Sequence, residues 1–540
     1  MREDGTRPNI FSYSAAIWAC QKGGQWQQAF TLFQEMSMAN IHPDVIAYSA
    51  LISAFEKGGQ WEHALILFQA MPRANIVPNV ISYSAAISAL EKAGQWQQAL
   101  TLFEAMSTAQ VQPNVISCNA VISACEKGGQ WEHALTLFHA IRAINLAPDV
   151  ISYNAAISAC QKGGEWQQAL TLFEMMLVMR IRPSVISYNA AISACEKGGQ
   201  WQEALVFFHA LSKAYVPPSI VSYSAAISAC EKGSQVQQAL TLFDEISEVK
   251  IRPNLISCSA AISACEKGGQ WQQALLLFES ITMQSIEPDV VSYNAVISAC
   301  EKAGEWQQAL ALFKAMCDTR LHPRNVITYN AAISACEKGV QWELALTLFE
   351  AMLEANIERD VISYNAAISA CEKGGQWTQA LILFAMLRVA DVAPNVISHN
   401  AAISACEKGG QWQHAISLFE AMIEDVDRDV ISYSAAINAC QRGGQWQQAL
   451  LLMEEMTRAT IDAGVICYCA AMNACGKASQ LQLVLTLMEE ISKQALVQIL
   501  LGGSSHLITG TSGTIWQVML VTDLHDSIAT CHQSSNDQLS

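Results

Sequence analysis

Four kinds of side chain that could bind a ligand recur at fixed spacing through most of this chain. In the stretch Val150–Ser184 they are Ile151, Asn154, Ser158 and Lys162, spaced i, i+3, i+7 and i+11. This spacing places the four residues along one stripe of an α-helix. Such a stripe offers an aliphatic side chain to contact a flat ring, polar groups to hydrogen-bond a polar edge, and a cation to neutralise an anion.

These side chains belong to a unit that repeats along the chain. The unit that begins at Val150 begins again at Val185, Ile220 and Leu255, a period of 35 residues. A fixed period in this range is typical of stacked helix pairs, in which each pair needs its neighbours to cover its apolar face. The sequence therefore predicts an all-α fold, a right-handed α-solenoid (superhelix) of about 14 helix–turn–helix repeats.

The repeats define three regions. Residues 1–9 end in Arg-Pro-Asn, as a unit does, and are expected to be the end of a truncated repeat. Residues 10–499 form the predicted array of 14 units. Residues 500–540 begin with GGSSHLITGTSG, a composition typical of flexible linkers, and we expect a linker and a disordered tail there. We see no targeting peptide and no apolar run of the length that a membrane helix needs.

Each unit is expected to fold as two short helices. In Val150–Ser184 the first helix would begin with Ser152 as its N-cap and end at Gly163-Gly164, since glycine tolerates the left-handed backbone that closes a helix. Pro183 would prevent the second helix from continuing. The side chains predicted to hold neighbouring units together are Tyr153, Ile157, Cys160, Trp166 and Phe173.

The placement of the cysteines argues against a metal site, and the lack of catalytic motifs argues against an enzyme. Of the 18 cysteines, twelve occupy the same slot of the first helix, and equivalent helices about 8–10 Å apart are too distant for disulfides. We therefore expect free, buried thiols. The sequence has no cysteine–histidine cluster with zinc spacing, no phosphate-binding glycine loop and no nucleophile elbow. We predict no catalytic residue, no metal and no cofactor.

The charge distribution is more informative than the net charge. The net charge of −17 argues by itself against a nucleic-acid partner. However, each unit has a basic residue before its turn, which creates a basic stripe, although a glutamate precedes the lysine in ten units and weakens the local field. We expect these cations to contact phosphate groups. They are Lys22, Lys57, Lys92, Lys127, Lys162, Lys197, Lys232, Lys267, Lys302, Lys338, Lys373, Lys408 and Arg442.

Two positions vary between units while the residues around them barely change. The fifth residue of a unit is almost always Ser or Asn, and the last is mostly Asp or Asn. Packing does not explain variation confined to these sites. One polar side chain, one apolar residue and one cation per unit suit a single-stranded nucleic acid, because the polar residue can read a base edge while the apolar residue contacts base faces.

The candidate residues fall into two sets. Those expected to read bases are Ser14, Asp44, Ser49, Asn79, Ser84, Asn114, Asn119, Asp149, Asn154, Ser184, Asn189, Ser219, Ser224, Asn254, Ser259, Asp289, Asn294, Asn325, Asn330, Asp360, Asn365, Asn395, Asn400, Asp429 and Ser434. Those expected to contact base faces as wedges are Ile46, Ile81, Ile116, Ile151, Ile186, Val221, Ile256, Val291, Ile327, Ile362, Ile397 and Ile431.

The unit, of the form YNAAISACEKGGQWQQALTLFEAM with a closing Pro-Asn or Pro-Asp, resembles the pentatricopeptide repeat over residues 10–499. The resemblance implies sequence-specific binding of single-stranded RNA with one base per repeat. It implies a role in organellar RNA processing, stabilisation or translation, in a chloroplast or mitochondrion, by occupancy or by recruiting RNA-processing proteins. It also implies a recognition rule: Ser at the fifth residue favours a purine and Asn a pyrimidine, while terminal Asp favours G or U and terminal Asn favours A or C.

The terminal part of this rule has a physical basis. Ionised Asp can only accept, which suits the imino N–H of G and U, whereas Asn can donate to the bare ring nitrogen of A and C. The rule gives the target 5′-GAAUCCAG(C/U)U(C/U)U, with the N-terminal repeat at the 5′ end. The pair Ser434/Gly464 and the repeat that contains Cys469 depart from the pattern and are left unassigned.

An alternative is a protein–protein interaction scaffold that resembles a tetratricopeptide-type array. The acidic net charge favours this alternative. The period of 35 residues rather than about 34, and variation confined to two positions, argue against it. In either case we expect a monomer that does not associate with a membrane.

Overall fold

The computed structural model describes residues 8–284, 286–319, 325–459, 461 and 463–490. Every regular element in these ranges is an α-helix. The tail predicted at 500–540 and most of the truncated repeat predicted at 1–9 lie outside the described residues. None of the described helices combines the length and the apolar character needed to cross a bilayer.

The chain divides into two compact units, Met1–Ala295 and Val296–Ser540, and the division falls within one helix, α17 (Val290–Ala303). The preceding helices are α1 (Ile10–Lys22), α2 (Trp26–Met38), α3 (Val45–Lys57), α4 (Trp61–Arg73), α5 (Val80–Lys92), α6 (Trp96–Thr108), α7 (Val115–Lys127), α8 (Trp131–Ala143), α9 (Val150–Gly163), α10 (Trp166–Val178), α11 (Val185–Lys197), α12 (Trp201–Lys213), α13 (Ile220–Lys232), α14 (Val236–Glu248), α15 (Leu255–Lys267) and α16 (Trp271–Met283).

The helices that follow α17 are α18 (Trp306–Asp318), α19 (Val326–Lys338), α20 (Trp342–Glu354), α21 (Val361–Lys373), α22 (Trp377–Val389), α23 (Val396–Lys408), α24 (Trp412–Asp425), α25 (Val430–Arg442), α26 (Trp446–Arg458) and α27 (Val465–Lys477). Residues 481–490 are also helical. Odd-numbered helices are the first helices of successive repeats and even-numbered helices are the second. The predicted all-α solenoid of helix pairs is confirmed.

Neighbouring repeats are joined through aromatic side chains. Within each compact unit, neighbouring first helices lie side by side, and a second helix contacts both its own first helix and the next one, as α10 contacts α9 and α11. In this contact Phe173 meets Tyr188 edge to face, with ring centroids 5.1 Å apart. Tyr153, Phe173 and Ile157 are at most 1% exposed, as predicted. Because each repeat covers the apolar face of the next, the stack is held together by neighbour contacts.

The buried cysteine thiols are neutral and unpaired, as Cys160 illustrates. Cys160 is free and fully buried. Burial raises the pKa of its thiol to about 11, so the thiol is neutral at physiological pH. The predicted small, buried and unpaired cysteine is therefore confirmed at this position.

The prediction that Ser152 is the N-cap of its helix is wrong. Helix α9 begins at Val150, and Asp149 is its N-cap, with a carboxylate oxygen that accepts from the Ser152 backbone N–H at 2.9 Å. The Ser152 hydroxyl accepts in return from the Asp149 backbone N–H at 3.1 Å. This is a capping box, in which the serine takes the third helical position and the last residue of the previous repeat takes the cap.

The paired glycines at the end of a first helix have different functions. Gly198 has an ordinary right-handed backbone, but a Cβ there would lie 2.4 Å from Cδ1 of Trp166 in the previous repeat. Gly199 has φ of +69°, a conformation that favours glycine. The first glycine therefore lets the half-buried tryptophan approach, and the second closes the helix. Ala93, Ala303 and Ala478 occupy the first slot in three repeats, so the close approach is not required everywhere.

One repeat contains a packing gap. Cys118 stands where most repeats have tyrosine, and a pocket of about 290 Å³ lies between Phe103, Cys118, Leu137 and Ile141. Phe103 is only half-buried, although the equivalent Phe173 is 1% exposed. The pocket lies where the tyrosine ring of other repeats would meet the phenylalanine.

We predict that Cys118→Tyr stabilises the protein, because the new ring would fill this pocket and meet Phe103 edge to face. Such a pair contributes about 0.5–1.5 kcal/mol beyond the area it buries. Thermal unfolding followed by circular dichroism should show a higher midpoint. The reverse change, Tyr153→Cys, is the control and should lower it. A lower midpoint for Cys118→Tyr would show that the pocket cannot admit the ring.

Candidate nucleic-acid interface

The two variable positions of a repeat lie in contact. In the fourth repeat the Asn119 amide nitrogen donates to the Asp149 carboxylate at 3.0 Å, and in the third the Ser84 hydroxyl donates to the Asn114 carbonyl oxygen at 3.3 Å. The same contact joins Ser14 with Asp44, Asn154 with Ser184, Asn189 with Ser219, Ser224 with Asn254, Ser259 with Asp289, Asn330 with Asp360, Asn365 with Asn395 and Asn400 with Asp429. Residues 30 apart in the chain, or 29 apart for Asn400 and Asp429, therefore form one polar pair in each of these ten repeats.

Two repeats depart from this arrangement. The Ser49 hydroxyl donates to the Val45 carbonyl at 2.7 Å, and no contact with Asn79 is recorded. Ser434 donates to the Val430 carbonyl, and Gly464 caps α27 without any side chain. The thirteenth repeat therefore lacks a polar pair, in agreement with its departure from the sequence pattern.

Capping fixes the orientation of the terminal side chain. Asn114 Oδ1 accepts the Ser117 backbone N–H at 2.8 Å, so its Nδ2 must point away from the helix end. Asp149 Oδ1 likewise accepts the Ser152 backbone N–H, which leaves Oδ2 on the outer side. We call Nδ2 or Oδ2 the outer atom of the cap. In the described residues neither outer atom has a recorded partner, so Asn114 offers a donor and Asp149 an acceptor.

A third residue, which the sequence reasoning assigned to capping alone, orients the asparagine. The Ser152 hydroxyl donates to Asn119 Oδ1 at 2.6 Å, which leaves Asn119 Nδ2 facing Asp149. The equivalent serine makes the same bond at 2.6–2.7 Å to Asn154, Asn189, Asn330, Asn365 and Asn400. The signal that could have identified it is its near-constancy beside two variable positions, since serine occupies it in eleven of the 14 repeats.

The fifth residue itself is largely covered. Asn119 is 8% exposed and Ser49 is 5% exposed. In contrast, the predicted wedge residues are open, between 53% for Val221 and 63% for Ile116. A ligand along this stripe would therefore meet the wedges and the outer atoms of the caps first.

Hydrogen bonds keep three terminal aspartates ionised. Burial alone would raise the pKa of Asp149, but the Ser152 amide and the Asn119 side chain donate to its carboxylate, the Ser152 hydroxyl lies beside it, and together they lower the pKa below its usual value. The pKa values of Asp360 and Asp429 are lowered against the same opposing effect of burial. All three aspartates pair with an asparagine, and each is an obligate acceptor at neutral pH.

Most of the basic residues that were predicted to contact phosphates form ion pairs with glutamates. Lys127 Nζ lies 2.6 Å from Glu91 Oε1 of the preceding repeat, and Lys232 lies 2.7 Å from Glu196. Comparable pairs hold Lys92, Lys162, Lys267, Lys338, Lys373, Lys408 and Arg442. Exposed pairs of this kind stabilise by about 0–1 kcal/mol, so they are breakable, but these cations are not free.

The first repeat presents two aromatic rings that the sequence reasoning did not single out. Phe11 occupies the wedge position and is 76% exposed. Trp18 replaces the serine of the stripe, is 55% exposed, and has Lys22 Nζ 5.2 Å from its ring centroid. The repeat register could have identified Phe11, because it is level with Ile46 of the next repeat.

The described residues contain no group of three or more His, Cys, Asp or Glu side chains that could hold a metal ion. The stripe instead combines exposed apolar side chains, outward donors or acceptors, and basic residues. This combination can contact base faces, base edges and phosphates of a flexible strand.

We predict that Ser152→Ala destabilises the start of α9 more than Ser117→Ala destabilises the start of α7. Both changes break a capping box, which is worth about 0.5–2 kcal/mol, but only Ser152 also donates to an asparagine side chain of the preceding repeat, whereas Ser117 donates to the backbone carbonyl of its own cap. Hydrogen–deuterium exchange by mass spectrometry should show faster exchange around residue 152 than around residue 117. An equal increase in the exchange rate at the two sites would contradict the orienting role of Ser152.

Comparison with known proteins agrees with the repeat geometry. A model described as "PPR repeat family" matches residues 8–57, 43–92, 78–125, 113–160, 148–195, 183–232 and 324–373. "Pentatricopeptide repeat domain" matches 276–338 and 418–478, and "PPR repeat" matches 221–251, 362–392 and 397–425. Among curated proteins, no sequence match was found.

A solved structure shows the same fold. The pentatricopeptide repeat protein PPR10 from maize is 18% identical, with a TM-score of 0.54, over 91% of this chain and 80% of that one. The structure of PPR10 in complex with an 18-nt psaJ RNA element is 19% identical, with a TM-score of 0.43, over 90% of this chain and 80% of that one. Because the repeat models match most of the sequence, the chain belongs to the pentatricopeptide repeat family.

Proposed function

We propose that this protein binds single-stranded RNA in a sequence-specific manner, one base per repeat. The observation that carries the proposal is the outer atom of each cap. Helix capping uses Oδ1 of the terminal residue in every repeat with Asp or Asn whose cap is described above, so the repeats differ in whether Oδ2 or Nδ2 faces outwards. A periodic choice between acceptor and donor is what the recognition of base edges requires.

The fifth residue supplies the second discrimination. Asn119 uses one Nδ2 proton on Asp149, and its second proton can donate to the O2 carbonyl that every pyrimidine carries. The single proton of the Ser84 hydroxyl is shared between the Val80 carbonyl at 2.7 Å and the Asn114 side-chain carbonyl at 3.3 Å, so the hydroxyl offers only lone pairs to a base. This difference supports the assignment of pyrimidines to asparagine repeats and purines to serine repeats.

The proposed target remains 5′-GAAUCCAG(C/U)U(C/U)U, and we expect recognition to be weakest in the two repeats whose cap is serine. The pairs Asn154/Ser184 and Asn189/Ser219 are assigned to C. The Ser184 hydroxyl contacts the Ser187 backbone N–H and hydroxyl, and serine has no second polar atom to act as an outer atom. We therefore expect these two repeats to discriminate C from U less than the Asp and Asn repeats do.

The wedges support a role in ordering the bases. Ile151 is 59% exposed on the same stripe as Asn154, and a wedge at this position recurs in each repeat. An aliphatic side chain between adjacent bases would separate them and hold each base edge near one cap. Arg and Lys residues of the stripe would contact the phosphates.

We propose that binding acts by occupancy or by recruitment of RNA-processing proteins, with no catalysis by this chain. The family membership favours action in a chloroplast or mitochondrion, on RNA processing, stabilisation or translation. In this proposal the protein is a monomer. The interaction-scaffold alternative would leave the pattern of donors and acceptors without a function.

The first test is binding of a labelled 12-nucleotide RNA with the proposed sequence. We expect it to bind about 10- to 1000-fold more tightly than a scrambled RNA of the same composition, since each mismatched base edge costs about 1–3 kcal/mol in related base recognition. Fluorescence anisotropy measures both affinities. Equal affinities would contradict base-specific recognition, and no binding to either RNA would contradict RNA binding itself.

The second test exchanges one recognition pair for another that the chain already contains. Asn119→Ser together with Asp149→Asn reproduces the pair Ser84/Asn114. We expect the preference at the fourth base to move from U to A by about tenfold or more, because the outer atom changes from an acceptor to a donor. Affinities for four RNAs that differ only at that base provide the measurement, and the preference at the third base is the internal control.

A further inference from the structure

We propose that the residue before the lysine in one repeat determines whether the lysine of the next repeat can hold a phosphate. Among the lysines of the compact unit Met1–Ala295 that follow another repeat, Lys57 and Lys197 are by this criterion the main phosphate anchors. The inference rests on the proposed RNA binding and adds to it a second pattern, of phosphate affinity along the stripe.

In most repeats the lysine forms an ion pair with a glutamate of the preceding repeat. Glu196 at the twelfth position of α11 is paired with Lys232 at the thirteenth position of α13, with Nζ and Oε1 2.7 Å apart. The glutamate side chain is only 19% exposed and the lysine 41%. The carboxylate is thus held at the base of the stripe, next to the cation that would meet a phosphate.

Two lysines lack this partner because the sequence changes 36 residues earlier. Gln21 and Gln161 stand where other repeats have glutamate. In the part of the chain that the structure describes, no carboxylate is paired with Lys57 or Lys197. Gln21 Oε1 is itself buried without a recorded hydrogen bond, so it does not engage Lys57 either.

The physical consequence is a difference in available charge. A paired lysine presents almost no net charge to a phosphate, because its carboxylate lies within 3 Å and would have to be left unpaired or would repel the phosphate. An unpaired lysine can release a counterion and bind a phosphate without losing a protein contact. The thirteen-member basic stripe therefore acts as a few strong anchors among many neutral pairs.

The anchors have a defined spacing. Lys57 and Lys197 are 140 residues apart, which is four periods of 35. With one nucleotide per repeat, the two anchored phosphates would be four nucleotides apart, on either side of the bases read by Ser84/Asn114, Asn119/Asp149 and Asn154/Ser184. The RNA segment between them would be fixed at both ends.

The compact unit Val296–Ser540 follows the same rule. Lys338, Lys373, Lys408 and Arg442 are each paired with a glutamate of the preceding repeat. Lys477 faces Gln441 instead, and its Nζ donates only to the Gln441 backbone carbonyl, at 3.5 Å. Lys477 is the candidate anchor of this compact unit.

The test changes the pairing residue and leaves the lysine in place. Gln161→Glu should pair Lys197 and reduce the slope of log affinity against log salt by about 0.7, the value for one phosphate on a single strand. If the variant and the natural chain bind equally at 1 M salt, this change in slope makes the variant bind about fivefold more weakly than the natural chain at 0.1 M salt. Glu196→Gln should free Lys232 and change the slope and the affinity by similar amounts in the opposite direction.

A matched control separates local pairing from net charge. Glu174→Gln removes the same charge from an exposed glutamate on the second helix α10, away from the basic stripe. We expect it to change the salt slope by less than half as much as Glu196→Gln. Circular dichroism of each variant checks that the helices are retained.

A double-mutant cycle identifies Lys197 as the group that responds. Lys197→Ala should lower the slope by about 0.7 in the natural chain and by much less in the Gln161→Glu background. The probes are the 12-nucleotide RNA of the proposed sequence and its scrambled version, since phosphate contacts do not depend on the bases.

The outcomes distinguish this inference from the proposed function. RNA binding with equal slopes for Gln161→Glu, Glu196→Gln and the natural chain would overturn the anchor pattern and leave RNA binding intact. No binding of either RNA by the natural chain would overturn both. Opposite shifts of the salt slope for Gln161→Glu and Glu196→Gln, together with a slope for the Glu174→Gln control close to that of the natural chain, would establish the pattern.

Discussion

The structure depends on one hydrogen bond that recurs at the first helices from α1 to α25, from the third backbone N–H of the helix to the side chain of the residue that precedes the helix. In the fifth repeat this bond joins Ser152 to Asp149 at 2.9 Å. It starts a helix, ties two repeats together and turns the second polar atom of the cap outwards. One contact thus connects the stability of the stack with the chemistry of its surface, because the residue that varies for recognition must also be able to cap.

This double requirement explains the limited choice of residues at the end of a repeat. Asp, Asn and Ser are the best N-cap residues, and they dominate this position. Asp and Asn have the same shape but opposite outer atoms, so exchanging them alters what a base meets and preserves the cap. Serine caps the helix without an outer atom. Gly464, which has no side chain, ends the series of recognition pairs.

The sequence predicted the helix pairs and the buried faces well, because their signals are local and periodic. It placed the cap at Ser152 rather than Asp149, since a serine before an apolar face fits both the cap and the third helical position. It also treated the lysines as one basic stripe. The partner of Lys232 is Glu196, 36 residues away, and only the stacking of repeats brings the two together. The bond from Ser152 to Asn119 is equally non-local.

The central claim is that the outer oxygen of Asp149 accepts the imino N–H of the fourth base. It is tested most directly by RNA carrying N3-methyluridine, which lacks that N–H, in place of uridine. We predict about 10- to 100-fold weaker binding for the substitution at the fourth position, as expected for loss of a hydrogen bond to a charged group. In an RNA that carries uridine instead of cytidine at the fifth position, opposite Ser184, the exchange of that uridine for N3-methyluridine should cost much less. Equal losses at the two positions would contradict base reading by the cap.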